Sequence, residues 1–372
     1  MKWRLWIIAG LAASGSLGGA AAEPPPESQA DSFSKEGLVK ADVSQLKDTE
    51  LVAHPDSSLD PAKNVLWCGT MQLAWNEAIG LVGEKLRFAN EPPLVELLNQ
   101  EDFTRANLDP ASYVAIADFE RNHVEDEIRA ALQKTFAGAA SPELIPPIPT
   151  NPRPDDFVAY AYLYKNLAFA QPFAENDPIH FGDAAVRNFG WTKSTDQLSN
   201  DVFKQVIIDD YKSRDDFVTT LKTKSPHDEL ILAKVNPGTT LAATVDAVLK
   251  RIAENKPENA RKSDTLVVPK LNFDLRKDFR ELEGLTLEPS PTAKIKSKLT
   301  ITKAQQLIRF QLNEKGAILK SEAVITMKAL AIMPSHQLIF DRPFLILMKQ
   351  ADSTKPYFAL WVGNASLLVP AK

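Results

Sequence analysis

The chain has almost no cysteine, since Cys68 is the only one among its 372 residues. A single thiol cannot form an internal disulfide, so the fold must be held together by its core. Cys68 lies between Trp67 and Gly69 at the head of an apolar segment, which favours a small buried side chain over a catalytic thiol.

An excess of positive charge is also missing, because 43 Lys and Arg residues face 48 Asp and Glu residues, for a net charge of −5. A nucleic-acid-binding domain carries a concentrated basic face. The alternation of Lys294, Lys296 and Lys298 is better explained as the solvent face of a strand. We therefore expect no nucleic-acid partner.

The chain contains no G-x-S-x-G, P-loop, H-E-x-x-H or G-x-G-x-x-G pattern. His123 and Glu127 lie four residues apart on a predicted helix, but charged neighbours favour a solvated face over a metal site. Nothing in the sequence marks a catalytic residue. We expect no enzymatic activity, no cofactor and no metal.

Long apolar runs are missing except at the N-terminus. Residues 1–4 include the basic residues Lys2 and Arg4, residues 5–17 are mostly apolar, and residues 20–22 are three alanines. This pattern predicts a secretory signal peptide over residues 1–22, and its apolar part is too short for a membrane span. We expect a secreted or periplasmic protein without a membrane span.

The chain after the predicted signal peptide divides into two parts that differ in composition. Residues 23–60 are polar and rich in Pro and Ser, which predicts a flexible lead-in, and residues 61–372 form the predicted domain. Residues 141–154 contain six prolines and are predicted to be an extended connector. Near the C-terminus, Asn364-Ala365-Ser366 fits an N-glycosylation sequon.

Apolar spacing predicts most of the secondary structure. Helices are predicted at 64–88, 119–136, 241–254 and 277–283. Strands are predicted at 157–169, 203–208, 217–222, 230–235, 265–273, 293–302, 307–312, 317–327, 343–349 and 357–362. Helices early and strands late, without regular alternation, indicate an α+β domain with antiparallel or mixed sheets.

The run L-I-F-D-R-P-F-L-I-L-M at 338–348 resembles, position by position, the signature that closes the serpin fold. Its central residues are Phe340, Asp341, Arg342, Pro343 and Phe344. Weaker matches follow the serpin order at L-N-E-K-G (312–316), P-Y-F-A-L-W-V-G (356–363), L-Y-K-N-L-A-F-A-Q-P-F (163–173) and N-V-L-W-C-G-T-M-Q-L-A (64–74). With gaps, the resemblance covers residues 64–370.

This resemblance implies a serpin-like α+β fold, with a central mixed sheet, further antiparallel sheets and N-terminal helices. It also implies a reactive loop at 315–339, which leaves the central sheet after Glu314 and returns at Phe340. The implied hinge residues are Glu314, Gly316, Ala317, Ile318 and Leu319. The candidates for the scissile bond are Lys328, Ala329, Leu330, Ala331 and Ile332.

The position of the cut stays open between three alternatives. Counting from the hinge places the residue before it near Leu330, and counting back from Phe340 places it near Ile332. Either neighbourhood would suit an elastase-like or chymotrypsin-like protease, whereas a cut after Lys328 would suit a trypsin-like one.

Inhibitory serpins insert the cleaved loop into the central sheet as an extra strand. Residues 317–328 alternate between a mostly apolar and a more polar set, as an inserted strand requires. Three features depart from the inhibitory pattern: the bulky hinge residues Ile318, Leu319 and Lys320, Gln306 where a His is usual, and a shortened region at 89–156.

Two hypotheses remain. The first is an exported, monomeric inhibitor of a serine or cysteine protease acting through residues 315–339. The second is a non-inhibitory binding protein with the loop strand permanently inserted in the sheet.

Overall fold

The computed structural model describes residues 35–136, 155–192, 195, 198–315 and 335–371. The predicted signal peptide, the connector at 141–154 and the strand at 317–327 lie outside these residues. Within the described chain the α-helices are α1 (Thr70–Val82), α2 (Pro93–Leu98), α3 (Val124–Phe136), α4 (Asn200–Lys204) and α5 (Leu241–Glu254).

The strands of the described chain fall into a first half and a second half. The first half comprises β1 (Val39–Asp42), β2 (Thr49–Val52), β3 (Asn64–Cys68), β4 (Tyr113–Phe119), β5 (Phe157–Leu163), β6 (Ala174–Glu175), β7 (Ile179–Phe181), β8 (Ala184–Val186) and β9 (Asn188–Trp191). The second half comprises β10 (Val206–Ser213), β11 (Asp216–Lys222), β12 (Asp228–Lys234), β13 (Glu258–Asn259), β14 (Thr265–Pro269), β15 (Leu271–Asp278), β16 (Gln305–Leu312), β17 (Gln337–Ile339), β18 (Phe344–Gln350) and β19 (Pro356–Val362).

These elements form several sheets with helices packed around them. The largest sheet has the order β13-β10-β11-β12-β18-β19-β3-β2, and smaller sheets have the orders β17-β14-β9-β6 and β1-β15-β16. The strand pairs β4-β5 and β7-β8 complete the set among the described residues. The predicted α+β class, with mixed and antiparallel sheets, is confirmed.

The centre of the largest sheet is built from the apolar C-terminal runs. Every residue of β18 and β19 is buried, and β18 pairs antiparallel with both β12 and β19. Strands covered on both faces are apolar throughout instead of alternating. The strands predicted at 230–235, 343–349 and 357–362 are confirmed in type and place.

The first predicted helix, at 64–88, begins too early. Residues 64–68 instead form β3, whose residues are all buried and which pairs with β19. A short apolar run does not distinguish a buried strand from a buried helix, and here the pairing with β19 decides. Helix α1 follows and ends at Gly83, which adopts φ +86° and donates its N–H to Ile79 O at 2.7 Å.

A second helix was predicted at 119–136, and its start is also displaced. Residues up to Phe119 belong to β4, which pairs antiparallel with β5. His123, at φ +58°, separates a short 3₁₀ turn from α3. The apolar face of α3 packs on β4 and β5 with Val124, Ile128, Leu132 and Phe136, so a helix lies across this strand pair despite the shortened 89–156 region.

The helix predicted at 241–254 is confirmed as α5, and Thr240 caps it by accepting a hydrogen bond from Ala243 N at 3.0 Å. The strands predicted at 217–222 and 307–312 are confirmed as β11 and β16. The strand predicted at 157–169 is confirmed only to Leu163, because Tyr164 N then bonds to Ser112 O outside the β4–β5 ladder.

Three predictions fail where the chain changes direction. Residues 203–208 hold the end of α4 and the start of β10, and residues 265–273 hold β14 and β15, separated at Lys270. The helix predicted at 277–283 is the last part of β15 followed by a turn. Apolar periodicity does not register such breaks, because buried apolar residues lie on both sides of each of them.

The strand predicted at 293–302 is also wrong. Ala293 and Ile295 are buried and the intervening Lys294 is exposed, as in a strand, but Lys294 N bonds to Val82 O at the end of α1. The alternation therefore reflects packing of an irregular segment against α1.

The predicted lead-in at 23–60 is ordered over part of its length, so the expectation of flexibility is wrong there. Strand β1 pairs parallel with β15, and β2 pairs parallel with β3. Residues 49–53 are largely buried, with Leu51 fully so. Short apolar stretches within a polar segment are enough to add edge strands to two sheets.

Candidate functional site

The predicted loop begins where β16 ends, at Glu314. Its carboxylate lies 2.5 Å from Lys270 Nζ, which also lies 2.6 Å from Glu175 Oε1. Burial alone would raise the pKa of Glu314, but the hydrogen bond and charge of Lys270 outweigh it and hold this pKa below its ordinary value. The first end of the loop is thus held by a buried ion pair.

Residues after the loop return to the sheet β17-β14-β9-β6. Thr265 N donates to His336 O at 2.9 Å, and β17 pairs parallel with β14. Phe340 N then donates to Val267 O at 2.9 Å. Gly190 allows β9 to lie this close to β14, because a Cβ at this position would lie 2.0 Å from Leu266 O.

The signature residues form the corner between β17 and β18. Phe340 is fully buried, and its ring centroid lies 5.0 Å from that of Phe217 and 4.9 Å from that of Phe344. Pro343 directly precedes β18, as expected for a residue that cannot donate a ladder hydrogen bond. Arg342 is exposed.

Asp341 fixes this corner to β12 through Lys234, whose side chain is only 3% exposed. Lys234 Nζ lies 2.7 Å from Asp341 Oδ1 and donates to Ile339 O at 3.0 Å. Arg214 contacts the other oxygen of Asp341 at 2.8 Å. Burial would raise the pKa of Asp341, but the hydrogen bond from Lys234 and the neighbouring cations hold it below its ordinary value.

Two ties join the chain segment around β5 to the segment around β16. Phe173 N donates to Glu314 O at 2.8 Å, and Ser297 Oγ donates to Asp155 Oδ2. Nearly equal lengths of chain separate these ties, residues 155–173 on one side and residues 297–314 on the other. The two segments therefore run side by side in the same direction, and we call the space between them the seam.

Neither strand that flanks the seam has a described ladder on its second edge. Among the described residues, β5 pairs only with β4 and β16 pairs only with β15. Each therefore has one edge of N–H and C=O groups without a described ladder, and such an edge can accept a further strand.

Helix α1 lies against both walls of the seam. Its buried face packs on β4 and β5. On the other wall, Gln306 Nε2 donates to Cys68 O at 3.0 Å and to Thr70 Oγ1 at 2.7 Å at the start of α1. Gln306, where a His is usual in inhibitory serpins, thus links β16 to the helix beneath the seam.

The segment that follows β5, on one side of the seam, is joined to the largest sheet by an ion pair. Lys165 Nζ lies 2.8 Å from Asp228 Oδ1, and both side chains are buried. Tyr357 OH donates to the same carboxylate at 3.1 Å, and burial beside Asp228 raises the pKa of this phenol far above its usual range. The β5 side of the seam is therefore fixed to β12 just after β5 ends.

Sequence reasoning named Glu314 and the signature residues Phe340–Phe344 on either side of the predicted loop, and their role as its ends stays a prediction. The other hinge residues Gly316, Ala317, Ile318 and Leu319 lie outside the described residues. The scissile candidates Lys328, Ala329, Leu330, Ala331 and Ile332 lie outside them too.

Several residues that hold the site were not predicted. Lys270 and Lys234 each follow an apolar strand run, at V-V-P-K and L-I-L-A-K, and are almost fully buried. A lysine that continues a buried run must have a charged partner, which is the signal that could have identified them.

The described chain shows no group of three or more His, Cys, Asp or Glu residues placed to hold a metal ion. His123 lies at the exposed turn before α3. No helix in the described ranges is both long enough and apolar enough to cross a membrane.

Comparison with known proteins gives a relationship of fold. No family model matches the chain, and no curated protein matches it. Among solved structures, it is similar to a thyroxine-binding globulin in complex with thyroxine (14% identity, TM-score 0.41, covering 82% of this chain and 93% of that one). It is also similar to a tumour-suppressing serpin (11% identity, TM-score 0.47, covering 82% and 93%).

The chain is similar to serpins. A human thyroxine-binding globulin is a further similar structure, with 13% identity, a TM-score of 0.42 and coverage of 82% of this chain and 92% of that one. Because identity is this low, no ligand, partner or residue role is carried over from these proteins.

Proposed function

We propose that the chain is an exported, monomeric inhibitor of a serine or cysteine protease that acts through residues 315–339. The seam is the observation that supports this proposal, because both strands beside it present an edge without a described partner. The proposal assigns no catalytic residue, cofactor or metal to the chain.

The ends of residues 316–334 are held in positions that suit insertion into the seam. A strand that follows β16 through a tight turn runs antiparallel to it. Because the two walls of the seam run in the same direction, the same strand is also antiparallel to β5. The new strand would therefore complete antiparallel ladders on both sides, which gives a large gain in hydrogen bonding and burial.

The chemistry of inhibition is that implied by the resemblance to serpins. A protease cleaves within residues 328–332 and forms an acyl bond to the residue before the cut. Insertion of the freed segment then carries the acylated protease along. This mechanism requires the uncleaved segment to stay outside the seam until it is cut.

A second candidate function is a non-inhibitory binding protein that uses the same fold. The bulky hinge residues Ile318, Leu319 and Lys320 favour it, because inhibitory serpins have small residues there. In such a protein, cleavage within 316–334 would bring no gain in stability.

The test combines limited proteolysis with thermal unfolding. We expect nicking with a broad-specificity protease to cut between residues 323 and 336 and to raise the melting temperature by at least about 5 °C. A new central strand adds several kcal/mol, and each kcal/mol shifts the melting temperature of a chain of this size by roughly 1–2 °C. A denaturing gel should show a covalent adduct with a target protease. Resistance to nicking, or an unchanged melting temperature, would support the non-inhibitory alternative.

A matched control separates strand insertion from cleavage itself. Ala323→Pro leaves the cut accessible but removes a donor from the inserted strand and blocks a ladder position. We expect this variant to be cut at the same bond without the rise in melting temperature. An equal rise in the variant would show that the gain does not come from strand insertion.

A further inference from the structure

A cavity of about 560 Å³ lies at the end of the seam where Asp155 meets Ser297. Arg121 and Phe119 line it on the side of β4, and Lys294 and Lys296 line it on the side of the segment that leads to β16. Small-molecule sites have volumes of roughly 300–1,000 Å³. The cavity is thus of the size of a small ligand and lies where the two walls of the seam begin.

Charges around the cavity do not balance. The lining has three cations, Arg121, Lys294 and Lys296, and one carboxylate, Asp155, although the whole chain has a net charge of −5. Glu84 lies outside the lining but near Lys296, and the hydrogen bonds from Ser290 together with the charge of Lys296 lower the pKa of this carboxyl, so the local excess is at most two positive charges. Asp155 is already shared, since one oxygen accepts from Ser297 and the other lies 3.5 Å from Arg121. A local positive excess on an acidic protein attracts an anion.

The cations are held in place by contacts that leave donors for a ligand. Lys296 Nζ donates to Pro291 O, which uses one of its three N–H groups. Lys294 Nζ donates to Gly80 O at 3.0 Å, in the last turn of α1. The guanidinium of Arg121 lies 3.9 Å above the centroid of the Phe119 ring. The distance of 3.5 Å between Arg121 Nη1 and Asp155 Oδ1 is longer than a hydrogen bond. A guanidinium has five N–H donors, so Arg121 keeps donors for a ligand.

Apolar groups complete the lining. Leu81, Ile295 and the ring of Phe119 lie beside the cations. Cations next to apolar and aromatic surface suit a ligand with an acidic group on an apolar body. We propose that this cavity binds a small organic anion of that kind, such as an aromatic carboxylate or sulfonate.

Binding would connect the two walls of the seam. The acidic group would lie between Arg121, in the turn after β4, and Lys296, which directly precedes the wall that begins at Ser297. Among the described contacts, the Asp155 cluster joins the two sides here. A ligand that binds only the folded chain also raises its melting temperature by mass action. This site is distinct from the loop, whose ends lie at the opposite end of the seam.

Isothermal titration calorimetry of the whole secreted chain tests the proposal, with 1-naphthalenesulfonate as the probe and the neutral 1-naphthalenemethanol as its analogue. We expect the sulfonate to bind with one site per chain and the alcohol to bind at least about tenfold more weakly. The affinity for the sulfonate should fall as salt is added, because the attraction is electrostatic.

Matched variants locate the site. Arg121→Gln with Lys296→Gln should weaken sulfonate binding by about tenfold, since each ion pair contributes a few-fold. Lys250→Gln with Lys262→Gln makes the same charge change at exposed positions elsewhere and should leave binding within about twofold. No binding, equal binding of the alcohol, or equal binding by the two double variants would overturn the proposal. No protease is present, so the result is independent of inhibition.

Discussion

Lys270 and Glu314 form an ion pair 2.5 Å long at the point where β16 ends and the predicted loop begins. Their side chains are only 6% and 10% exposed. A buried charge whose partner is removed costs far more than an exposed one, so each residue depends on the other. This pair fixes the first end of the loop to the turn between β14 and β15.

The first prediction concerns this pair. Lys270→Met leaves Glu314 buried without its cation, and we expect the free energy of unfolding at pH 7 to fall by about 3–5 kcal/mol in urea denaturation. Adding Glu314→Gln to Lys270→Met removes the orphaned charge and should restore about half of the loss. If the double variant is no more stable than the single one, the ion pair does not explain the cost.

The pH dependence of the same pair has a definite sign. The pKa of Glu314 is held below its ordinary value of 4.5, so its contribution to stability is present above that pH and is lost as pH falls through the lower folded value. Lys270→Met should remove this acid-labile contribution. The check is the urea midpoint of both proteins between pH 3 and pH 7.

The second prediction concerns the return corner. Asp341→Asn removes one of the two carboxylates that pair with the buried ammonium of Lys234 and leaves Asp215, whose Oδ1 lies 2.8 Å from Nζ. We therefore expect a loss of about 1–3 kcal/mol in the free energy of unfolding. Arg342→Gln, at the neighbouring exposed position, should change it by less than about 0.5 kcal/mol. Equal losses in both variants would contradict the role given to Asp341.

The third prediction concerns Asp209 in β10. Burial raises its pKa to about 6, although Thr220 Oγ1 donates to it at 2.8 Å. Because the folded pKa exceeds the unfolded value of 3.8, the folded state binds more protons between these values, and stability falls as pH rises from about 4 to about 6. Asp209→Asn should therefore stabilise the protein at pH 7 by on the order of 2–3 kcal/mol.

Urea denaturation of Asp209→Asn and the original chain from pH 4 to pH 8 checks this prediction. The difference between their midpoints should be small near pH 4 and should grow to a plateau above pH 6. Parallel profiles would show that Asp209 does not titrate in this range.

The fourth prediction concerns the sequon at Asn364. Asn364 Nδ2 donates to Asp48 O at 3.0 Å and to Ala62 O at 2.9 Å, and its Oδ1 accepts from Asn64 Nδ2 at 2.9 Å. A glycan on Nδ2 would break one of these bonds. We expect no mass increase at Asn364 in a glycosylating host, and a loss of about 1–3 kcal/mol in Asn364→Gln.

How far the sequence predicted the fold depends on the element. The apolar run that forms β18 and the capped helix α5 carry their own signals, so both were located correctly. Residues 64–68 were assigned to a helix because their pairing partner, β19, lies almost 300 residues away. Residues 293–302 alternate like a strand, but their backbone bonds to α1 instead.

The site was predicted only at its ends. Glu314 and Asp341 lie in stretches that resemble serpins, so the sequence located them. Their cations, Lys270 and Lys234, are 44 and 107 residues away, and no local pattern reveals such pairs. The seam lies between two described strands that do not pair with each other. The apolar pattern of the sequence predicts strands but does not show which of them pair.

The most direct test of the account is hydrogen–deuterium exchange of β5 and β16 before and after the chain is nicked within 316–334. If the freed segment inserts into the seam, the alternate amides of both strands that face it become strongly protected, while β18 and β19 are unchanged. If exchange in β5 and β16 is the same before and after nicking, no strand enters the seam, and the proposed inhibitory mechanism is wrong.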